Sequence, residues 1–273
     1  KKEEFCVRTI HELMSLQGRR ALITGANGGI GRRMAATIAE LGGDLVLVDQ
    51  LGTEYGALLE TLQSISDVNV ACVDCNLEDG NARSELIFDL LEQEEELSIL
   101  INNAAFVGSS DLEGWATEFQ DQSIETWQRA LEVNLTAAFD LSKGLTPKLK
   151  QSGHGSIVNV ASIYGISGPD YSLYTSTQMG NPAAYSVSKG GLIQLTRWLA
   201  TTLAPDIRVN TISPGGMLRN QPEVFVRRYE ARTPLKRMAV EEDIKGVTAF
   251  LSSDLSAYVT GQNLLVDGGW TAW

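Results

Sequence analysis

The sequence has few cysteines, no long apolar run and no cluster of basic residues. Three cysteines among 273 residues do not make a disulfide framework, and they favour a reducing compartment. No stretch approaches the roughly 18 consecutive apolar residues of a membrane span, so we expect no membrane partner. The first four residues are charged and no apolar segment follows them. We therefore expect no secretory signal and a cytoplasmic location.

The charge balance and the cysteine spacing exclude further classes of protein. A net charge of −12 without basic clusters argues against duplex nucleic acid as a partner. Cys72 and Cys75 form a C-x-x-C pair, a spacing found in redox and zinc sites. The remaining candidate ligands, Cys6, His11 and His154, are scattered along the chain. We therefore predict no metal site and interpret the pair as small apolar side chains at a strand end.

Apolar segments alternate with helical segments along the whole chain, which predicts an α/β fold with a doubly wound parallel sheet. The length fits a single domain, which we place at 18–273 after an N-terminal extension at 1–17. We expect about seven strands, with helices on both faces of the sheet. The predicted strands are 20–24, 44–49, 68–74, 97–101, 155–161, 206–212 and 262–266. The predicted helices are 29–41, 54–66, 79–96, 123–150, 183–204 and 241–253.

Three loop-like segments are longer than the connection between a strand and a helix requires. They are 105–122, 163–182 and 213–240, and each follows a predicted strand. Ligands bind beyond the carboxyl ends of the strands in open parallel sheets. Because long ordered loops are usually functional, we expect all three segments to line one substrate pocket.

A glycine-rich segment, TGANGGIG at 24–31, lies between the first predicted strand and the first long helix. Its glycines allow a tight turn and a close approach of the backbone to phosphate, and the helix N-terminus attracts the anion. Asp49 ends the next strand, where a carboxylate accepts both adenosine-ribose hydroxyls and repels a 2′-phosphate. This arrangement predicts a Rossmann-type domain that binds NAD rather than NADP.

A tyrosine and a lysine lie four residues apart in a later helix, so Tyr185 and Lys189 share one face. Interconversion of an alcohol and a ketone by hydride transfer requires a group that moves a proton on and off oxygen. A free tyrosine has a pKa of about 10 and is a poor base at neutral pH. We expect the Lys189 ammonium and the positive charge of NAD⁺ to lower the pKa of Tyr185, the general acid/base.

These motifs together resemble the short-chain dehydrogenase/reductase family, whose TGxxxGxG and YxxxK patterns are both intact. The resemblance covers about residues 18–269. It implies that the Ser162 hydroxyl binds the substrate oxygen and that Asn134 organises a water-linked proton path from Lys189. It also implies that Lys189 holds the nicotinamide ribose.

The resemblance assigns cofactor contacts along the chain. NADP-dependent relatives commonly have a basic residue in the glycine motif or after the second strand, where this chain has Gly28 and Gln50. Asp74 matches the family's adenine-contacting acid, and Asn102 begins NNAA, where the family has NNAG. The predicted cofactor contacts are Gly25, Asn27, Gly29, Ile30, Gly31, Asp49, Asp74, Cys75, Asn102, Ala104, Tyr185, Lys189, Pro214, Gly215 and Met217.

An additional segment near 168–181 separates Ser162 from Tyr185 by 23 residues, which is wider than usual in the family. Its tyrosines and hydroxyls suit a polar, ring-shaped ligand, so we predict a polyhydroxylated substrate, a sugar or an activated sugar. Arg219 either pairs with an anionic group of that ligand or is a solvated loop charge. The candidate substrate residues are Tyr164, Tyr171, Tyr174, Asn181 and Arg219. The additional segment and the C-terminal aromatics also resemble a bacterial branch associated with flagellin or surface-polysaccharide sugar modification.

The predicted function is that of an NAD-dependent oxidoreductase acting on a small-molecule secondary alcohol or ketone. One alternative is a cofactor-sensing binding protein on the same fold, although such relatives tend to lose the tyrosine or the lysine. Another is an epimerase or dehydratase that uses NAD transiently; those relatives typically have a different glycine spacing and a larger C-terminal domain. The resemblance, the long helices at 123–150 and 183–204 and the apolar C-terminal end predict a homotetramer or a dimer.

Overall fold

The computed structural model describes residues 7–108 and 110–273, and within these ranges the chain forms one seven-stranded sheet. The strand order is β3-β2-β1-β4-β5-β6-β7, and every neighbouring pair is parallel. The predicted Rossmann-type doubly wound fold is confirmed. The strands are β1 (Arg20–Thr24), β2 (Asp44–Asp49), β3 (Val70–Asp74), β4 (Ile99–Asn102), β5 (Gly155–Val160), β6 (Ile207–Pro214) and β7 (Asn263–Val266).

Helices cover both faces of this sheet. They are α1 (Ile10–Met14), α2 (Gly29–Glu40), α3 (Gly56–Ile65), α4 (Gly80–Glu92), α5 (Ile124–Leu131), α6 (Ala137–Gln151), α7 (Ala183–Leu203), α8 (Glu223–Arg232) and α9 (Lys245–Ser252). None of the helices in the described ranges is long and apolar enough to cross a membrane.

The core is divided by the sheet into two layers, because successive side chains of a strand point to opposite faces. Ile23 of β1 packs with Met34 of α2 and Leu251 of α9 on one face. Its neighbour Leu22 packs with Leu145 of α6 and Leu199 of α7 on the other. The apolar strands are therefore buried on both faces, and because neighbouring strands are parallel, their carboxyl ends lie at one edge of the sheet.

Two predicted segments differ from the structure. The predicted helix at 123–150 is divided by a π-helical turn at Glu132–Thr136, so α5 and α6 are separate helices. The segment 213–240, predicted as loop-like, contains α8. Only Phe225 and Tyr229 of α8 are buried. Its apolar periodicity is therefore limited to this one pair, and these two aromatic side chains pack the helix against the protein.

Candidate active site

A large cavity of approximately 1300 Å³ lies at the carboxyl edge of the sheet. Each of the three long segments contributes to its wall, for example through Phe106, Tyr174 and Met217. The cavity continues from these segments to the glycine-rich turn at 25–31. Residues at or just beyond the ends of six strands line it: Gly25, Asp49, Cys75, Asn103, Ser162 and Pro214.

The glycine-rich turn has room for backbone only. Gly25 adopts a left-handed conformation with φ of +61°, and a Cβ at this position would lie 2.8 Å from the Ala104 Cα. A Cβ at Gly31 would lie 2.1 Å from the Gly25 carbonyl oxygen. The N-terminus of α2 has no side-chain cap, so its free N–H groups remain available to an anion. This cradle fits the pyrophosphate of a dinucleotide.

Asp49 lines the cavity at the end of β2, where backbone groups hold its carboxylate in place. One oxygen accepts a hydrogen bond from the Asn27 N–H at 2.8 Å, and the other accepts from the Gln50 N–H at 2.9 Å. The Asn27 side chain donates to the Glu54 carbonyl at 3.3 Å and does not line the cavity. The predicted role of Asn27 is therefore limited to its backbone, which fixes Asp49.

Asp74, predicted to contact adenine, does not line the cavity. Its carboxylate accepts a hydrogen bond from the Gly52 N–H at 3.0 Å, in the turn after β2. The next two residues, Cys75 and Asn76, do line the cavity. The end of β3 is therefore at the site, but Asp74 is used to hold a neighbouring turn.

Asn102 also lies outside the cavity, in contrast to its predicted role as a cofactor contact. Its side-chain amide donates to the Asn159 side chain at 2.8 Å between two buried strands. The following residue, Asn103, lines the cavity and donates to the carbonyl oxygens of Thr24 and Gly25 at 2.9 and 3.0 Å. Asn103, which the sequence analysis did not select, therefore ties β4 to the glycine-rich turn.

Ser162, Tyr185 and Lys189 all line the cavity, as the predicted catalytic arrangement requires. Ser162 follows β5 and accepts a hydrogen bond from the Tyr164 N–H at 3.2 Å. Lys189 and Tyr185 lie on α7, with the Lys189 Nζ 5.8 Å from the centre of the Tyr185 ring. The Lys189 ammonium donates to the Val160 carbonyl at 2.7 Å. The structure thus brings Ser162, at the end of β5, to the same cavity as the Tyr185–Lys189 pair of α7.

The pKa of Tyr185 differs from the predicted direction. Burial raises the pKa of this phenol, while the Ser162 hydroxyl and the Arg219 charge act to lower it. Burial also lowers the pKa of Lys189 to about 7. Lys189 is buried and Tyr185 is partly buried, and the desolvation of the charged form is the largest influence on the pKa of each. Lys189 is not among the groups that lower the pKa of Tyr185 in the protein without cofactor, and the joint effect expected of Lys189 and NAD⁺ stays a prediction.

Asn134 lies in the π-helical turn between α5 and α6, and its side chain does not line the cavity. Its amide oxygen accepts from the Phe106 N–H at 2.7 Å, and its amide nitrogen donates to the Phe106 carbonyl at 3.1 Å. The same nitrogen donates to the Ser188 hydroxyl at 3.1 Å. Asn134 therefore links the segment 105–122 to α7, the helix of Tyr185. Such π-helical turns are frequent at functional sites.

Of the candidate substrate residues, Tyr164, Tyr174 and Asn181 line the cavity. The hydroxyl oxygens of Tyr164 and Tyr174 lie 2.6 Å apart. Tyr171 does not line the cavity and is 64% exposed. It opens a 3₁₀ turn in which Leu173 is the buried residue, so the turn directs Tyr171 outward.

An aromatic wall of the cavity was not predicted. Phe225 and Tyr229 project from α8 and line the cavity together with Met238. The buried Trp270 stacks behind Tyr229 with ring centres 5.9 Å apart. The spacing of four residues between Phe225 and Tyr229 is the signal that indicates one helical face.

Arg219 lines the cavity, but its guanidinium lies at the glycine-rich turn. A Cβ at Gly29 would be 2.9 Å from the Arg219 Nη2 and 2.7 Å from the Glu241 Oε1. The Arg219 Nε lies 3.3 Å from the same Glu241 oxygen. The guanidinium is thus placed towards the phosphate cradle, which is neither of the two environments predicted for it, an anionic group of the substrate or bulk solvent.

The structure does not group the candidate metal ligands. In residues 7–108 and 110–273, no cluster of three or more His, Cys, Asp or Glu side chains is suited to a metal ion. Cys72 is exposed, Cys75 is buried, and neither is in a disulfide. Burial is the main cause of a raised pKa at the Cys75 thiol. Cys6 lies outside the described residues.

A family model described as Enoyl-(Acyl carrier protein) reductase matches residues 25–271. The chain belongs to the short-chain dehydrogenase/reductase family. The predicted family is therefore confirmed over nearly the whole chain, and with it an oxidoreductase that uses a nicotinamide dinucleotide.

Curated relatives of this short-chain dehydrogenase/reductase differ in the substrates that their names give. The 3-oxoacyl-[acyl-carrier-protein] reductase FabG of Aquifex aeolicus is 31% identical, over 94% of this chain and 98% of the relative. Trans-4-hydroxycyclohexanecarboxylate dehydrogenase of Sinomonas cyclohexanicum is 32% identical, over 92% of each chain. Post-translational flagellin modification protein A of Campylobacter coli is 30% identical, over 93% and 99%. The last gives weak support to the predicted flagellin-modification branch.

Solved structures of similar proteins contain either cofactor. A short chain dehydrogenase from Leptospira borgpetersenii with bound NAD⁺ is 32% identical, with a TM-score of 0.82 over 99% of each chain. A putative gluconate 5-dehydrogenase from Beutenbergia cavernae with bound NADP is 30% identical, with a TM-score of 0.82 over 96% and 100%.

Proposed function

We propose that this protein is an NAD-dependent oxidoreductase that interconverts a secondary alcohol and a ketone, with Tyr185 as the general acid/base. The observation that carries the proposal is that Ser162, Tyr185 and Lys189 line the same cavity as the glycine-rich turn and Asp49. A nicotinamide dinucleotide held along this turn would supply or accept the hydride.

Two residues of the protein transfer the proton and position the substrate. Burial raises the pKa of Tyr185, so the phenol is protonated at neutral pH and is able to donate to a ketone oxygen. Ser162 lines the same cavity and its hydroxyl acts to lower the pKa of Tyr185, so it is placed to hold the same oxygen. Oxidation of an alcohol requires the phenolate, and the positive charge of bound NAD⁺ favours that form.

The preference for NAD rests on Asp49. Its carboxylate is fixed by two backbone N–H groups at the end of β2 and faces the cavity. A 2′-phosphate next to this carboxylate would bring like charges together, and neither Gly28 nor Gln50 supplies a positive charge. Since similar structures contain NAD⁺ or NADP, the proposal depends on this residue rather than on the family.

The substrate that we propose is a polyhydroxylated ring, a sugar or an activated sugar. Aromatic rings of Tyr174, Phe225 and Tyr229 and amide groups of Gln178 and Asn181 line the cavity. Apolar ring faces and hydrogen-bonding edges together suit a ligand that has both. The named relatives act on a cyclic hydroxy acid, on 3-oxoacyl groups or in flagellin modification, so the screen should include all of these chemistries.

The proposal is tested by following NADH absorbance with sugars, nucleotide-linked sugars, cyclic hydroxy acids and 3-oxoacyl thioesters. Steady NADH release from an alcohol, or its steady consumption with a ketone, supports the oxidoreductase. Binding of NADH without turnover of any compound would favour the cofactor-sensing alternative. Conversion without net NADH formation would favour transient use of the cofactor.

The role of Tyr185 is tested by Tyr185→Phe, which removes only the hydroxyl. We expect turnover to fall by about 10²- to 10⁴-fold while NADH binding persists. Tyr171→Phe is the matched control, since Tyr171 is exposed and outside the cavity, and its turnover should equal that of the unmodified protein. Substantial turnover by Tyr185→Phe would show that another group transfers the proton.

A further inference from the structure

An ion pair formed by two distant loops lies over the start of α2. Arg219 is in the loop after β6, and Glu241 begins the 3₁₀ turn Glu241–Ile244 before α9. The Arg219 Nε is 3.3 Å from the Glu241 Oε1. Both groups lie within 3 Å of the position that a Cβ at Gly29 would take, as measured above. The pair therefore lies directly on the first residue of α2.

The location of Glu241 is favourable for a carboxylate and also for a phosphate. Free N–H groups of the first helical turn and the helix dipole attract a negative charge at this end of α2. A pyrophosphate bound along the glycine-rich turn would require the same positive end of the helix. The Glu241 carboxylate and the pyrophosphate would also compete for the Arg219 guanidinium, because a guanidinium pairs well with both carboxylate and phosphate.

On the basis of the proposed function, we propose that Glu241 and Arg219 control cofactor binding in opposite senses. Glu241 competes with the cofactor's pyrophosphate for the N-terminus of α2 and for the Arg219 guanidinium. When the dinucleotide binds, Arg219 exchanges Glu241 for the pyrophosphate. Arg219 is thus a cofactor-binding residue, and Glu241 is an internal competitor of the cofactor.

The neighbouring ion pairs allow this exchange without loss of the loop structure. Glu242 pairs with Arg33 of α2 at 3.1 Å, and Asp243 pairs with Arg237 at 2.6 Å. Neither pair involves the Glu241 carboxylate, so the turn does not depend on the contact of Glu241 with Arg219. Glu242 is also a matched control, since it is an adjacent acid of equal charge that pairs outside the glycine-rich turn.

The loop of Arg219 is held by groups other than its guanidinium. The Arg219 N–H donates to the Gln221 side-chain oxygen at 2.7 Å, and the Gln221 amide donates to the Met217 carbonyl at 2.7 Å. Substitution of the Arg219 side chain leaves both hydrogen bonds in place. Variants at this position therefore change the charge at the turn and preserve the loop.

The test measures equilibrium binding of three probes: NADH, ADP-ribose and adenosine. NADH binding is followed by its fluorescence, and the other two by competition with NADH. Arg219→Ala should weaken the binding of NADH and of ADP-ribose by about 10- to 100-fold, which corresponds to the loss of one hydrogen bond to a charged group. Adenosine, which has no phosphate, should bind as it does to the unmodified protein. Arg219→Lys, which retains the charge, should recover part of the loss.

Glu241→Gln should have the opposite effect. Because it removes a partly exposed competing charge, this substitution should increase the affinity for ADP-ribose and NADH by about 2- to 5-fold. The affinity for adenosine should again be unchanged. Glu242→Gln should leave all three affinities unchanged. Melting temperatures of each variant, measured without ligand, show whether the fold is preserved.

Each contrary result has a distinct meaning. An unmodified protein that binds neither NADH nor ADP-ribose would contradict the proposed function itself. If the unmodified protein binds both and Arg219→Ala binds ADP-ribose equally well, the inference about Arg219 is overturned and the proposed function stands. Weaker binding by Glu241→Gln, or equal tightening by Glu242→Gln, would overturn the proposed competition at the turn.

Discussion

Replacement of Asp49 by asparagine should convert a strong preference for NAD⁺ into weak discrimination between the two cofactors. The Asp49 carboxylate accepts two backbone N–H groups and has further lone pairs available to the ribose hydroxyls. Loss of one charge-assisted hydrogen bond to the ribose costs about 1.5–3 kcal/mol in NAD⁺ binding.

The same substitution relieves the repulsion of NADP⁺. Two unit charges about 5 Å apart interact by about 3 kcal/mol at an effective dielectric constant of 20. Screening by salt at this partly exposed position reduces the gain in NADP⁺ binding free energy to about 1–2 kcal/mol. Added to the loss of NAD⁺ binding, this amounts to roughly 2.5–5 kcal/mol, so the ratio of kcat/KM for NAD⁺ to kcat/KM for NADP⁺ should fall by about 70- to 5,000-fold.

The assay is kcat/KM with NAD⁺ and with NADP⁺ at one salt concentration, once an alcohol substrate is in hand. Asp74→Asn is the matched control, because Asp74 ends the neighbouring strand in register with Asp49 and lies outside the cavity. It should leave the ratio unchanged. An unmodified protein that uses both cofactors equally, or an Asp74→Asn variant that shifts the ratio as far as Asp49→Asn, would refute the reasoning.

Three further predictions concern pH, stability and assembly. Since burial raises the pKa of Tyr185 and oxidation requires the phenolate, kcat/KM for oxidation should rise across the alkaline range while that for reduction falls. An oxidation rate that is constant from acidic to alkaline pH would contradict this assignment. Lys189→Met should abolish turnover but raise the free energy of unfolding at pH 7 by about 1–4 kcal/mol. The reason is that burial lowers the pKa of Lys189 to about 7, so the charged lysine is less stable in the folded protein than in the unfolded chain. The gain should vanish above the pKa of the unfolded lysine, and thermal unfolding at pH 7 and at high pH measures both effects. Light scattering should give the mass of a homotetramer or a dimer, since Val187 and Trp198 of α7 are 50% and 55% exposed, and a monomeric mass would contradict it.

Local features of the sequence were sufficient for the fold and for placing the glycine-rich turn and Asp49 at the cavity. The glycine-rich turn at 25–31 is continuous in the chain, and its conformation follows from steric exclusion at Gly25 and Gly31. Asp49 closes a strand whose apolar run is unambiguous. Burial on both sheet faces requires such runs, so strand ends are well predicted and residues at them meet at one edge.

Side-chain direction at the same edge required the tertiary structure. Asp74 and Asn102 end their strands just as Asp49 does, yet they bond to Gly52 and to Asn159. Tyr171 lies in the correct segment but points outward. Neighbouring residues of a strand point to opposite sides, so an error of one residue in the prediction moves a side chain out of the cavity. The hydrogen-bond partners that hold such a side chain come from distant segments.

The sequence by itself determined the family, the places of the seven strands along the chain, and the choice of Ser162, Tyr185 and Lys189 as candidates, because each depends on patterns within a short stretch. Only the tertiary structure decided that α8 supplies an aromatic wall, that burial raises the pKa of Tyr185, and that Arg219 lies over Gly29. These features depend on which distant segments pack together and on how much water they exclude. Desolvation and long-range pairing are properties of the assembled packing, so no local pattern in the chain specifies them.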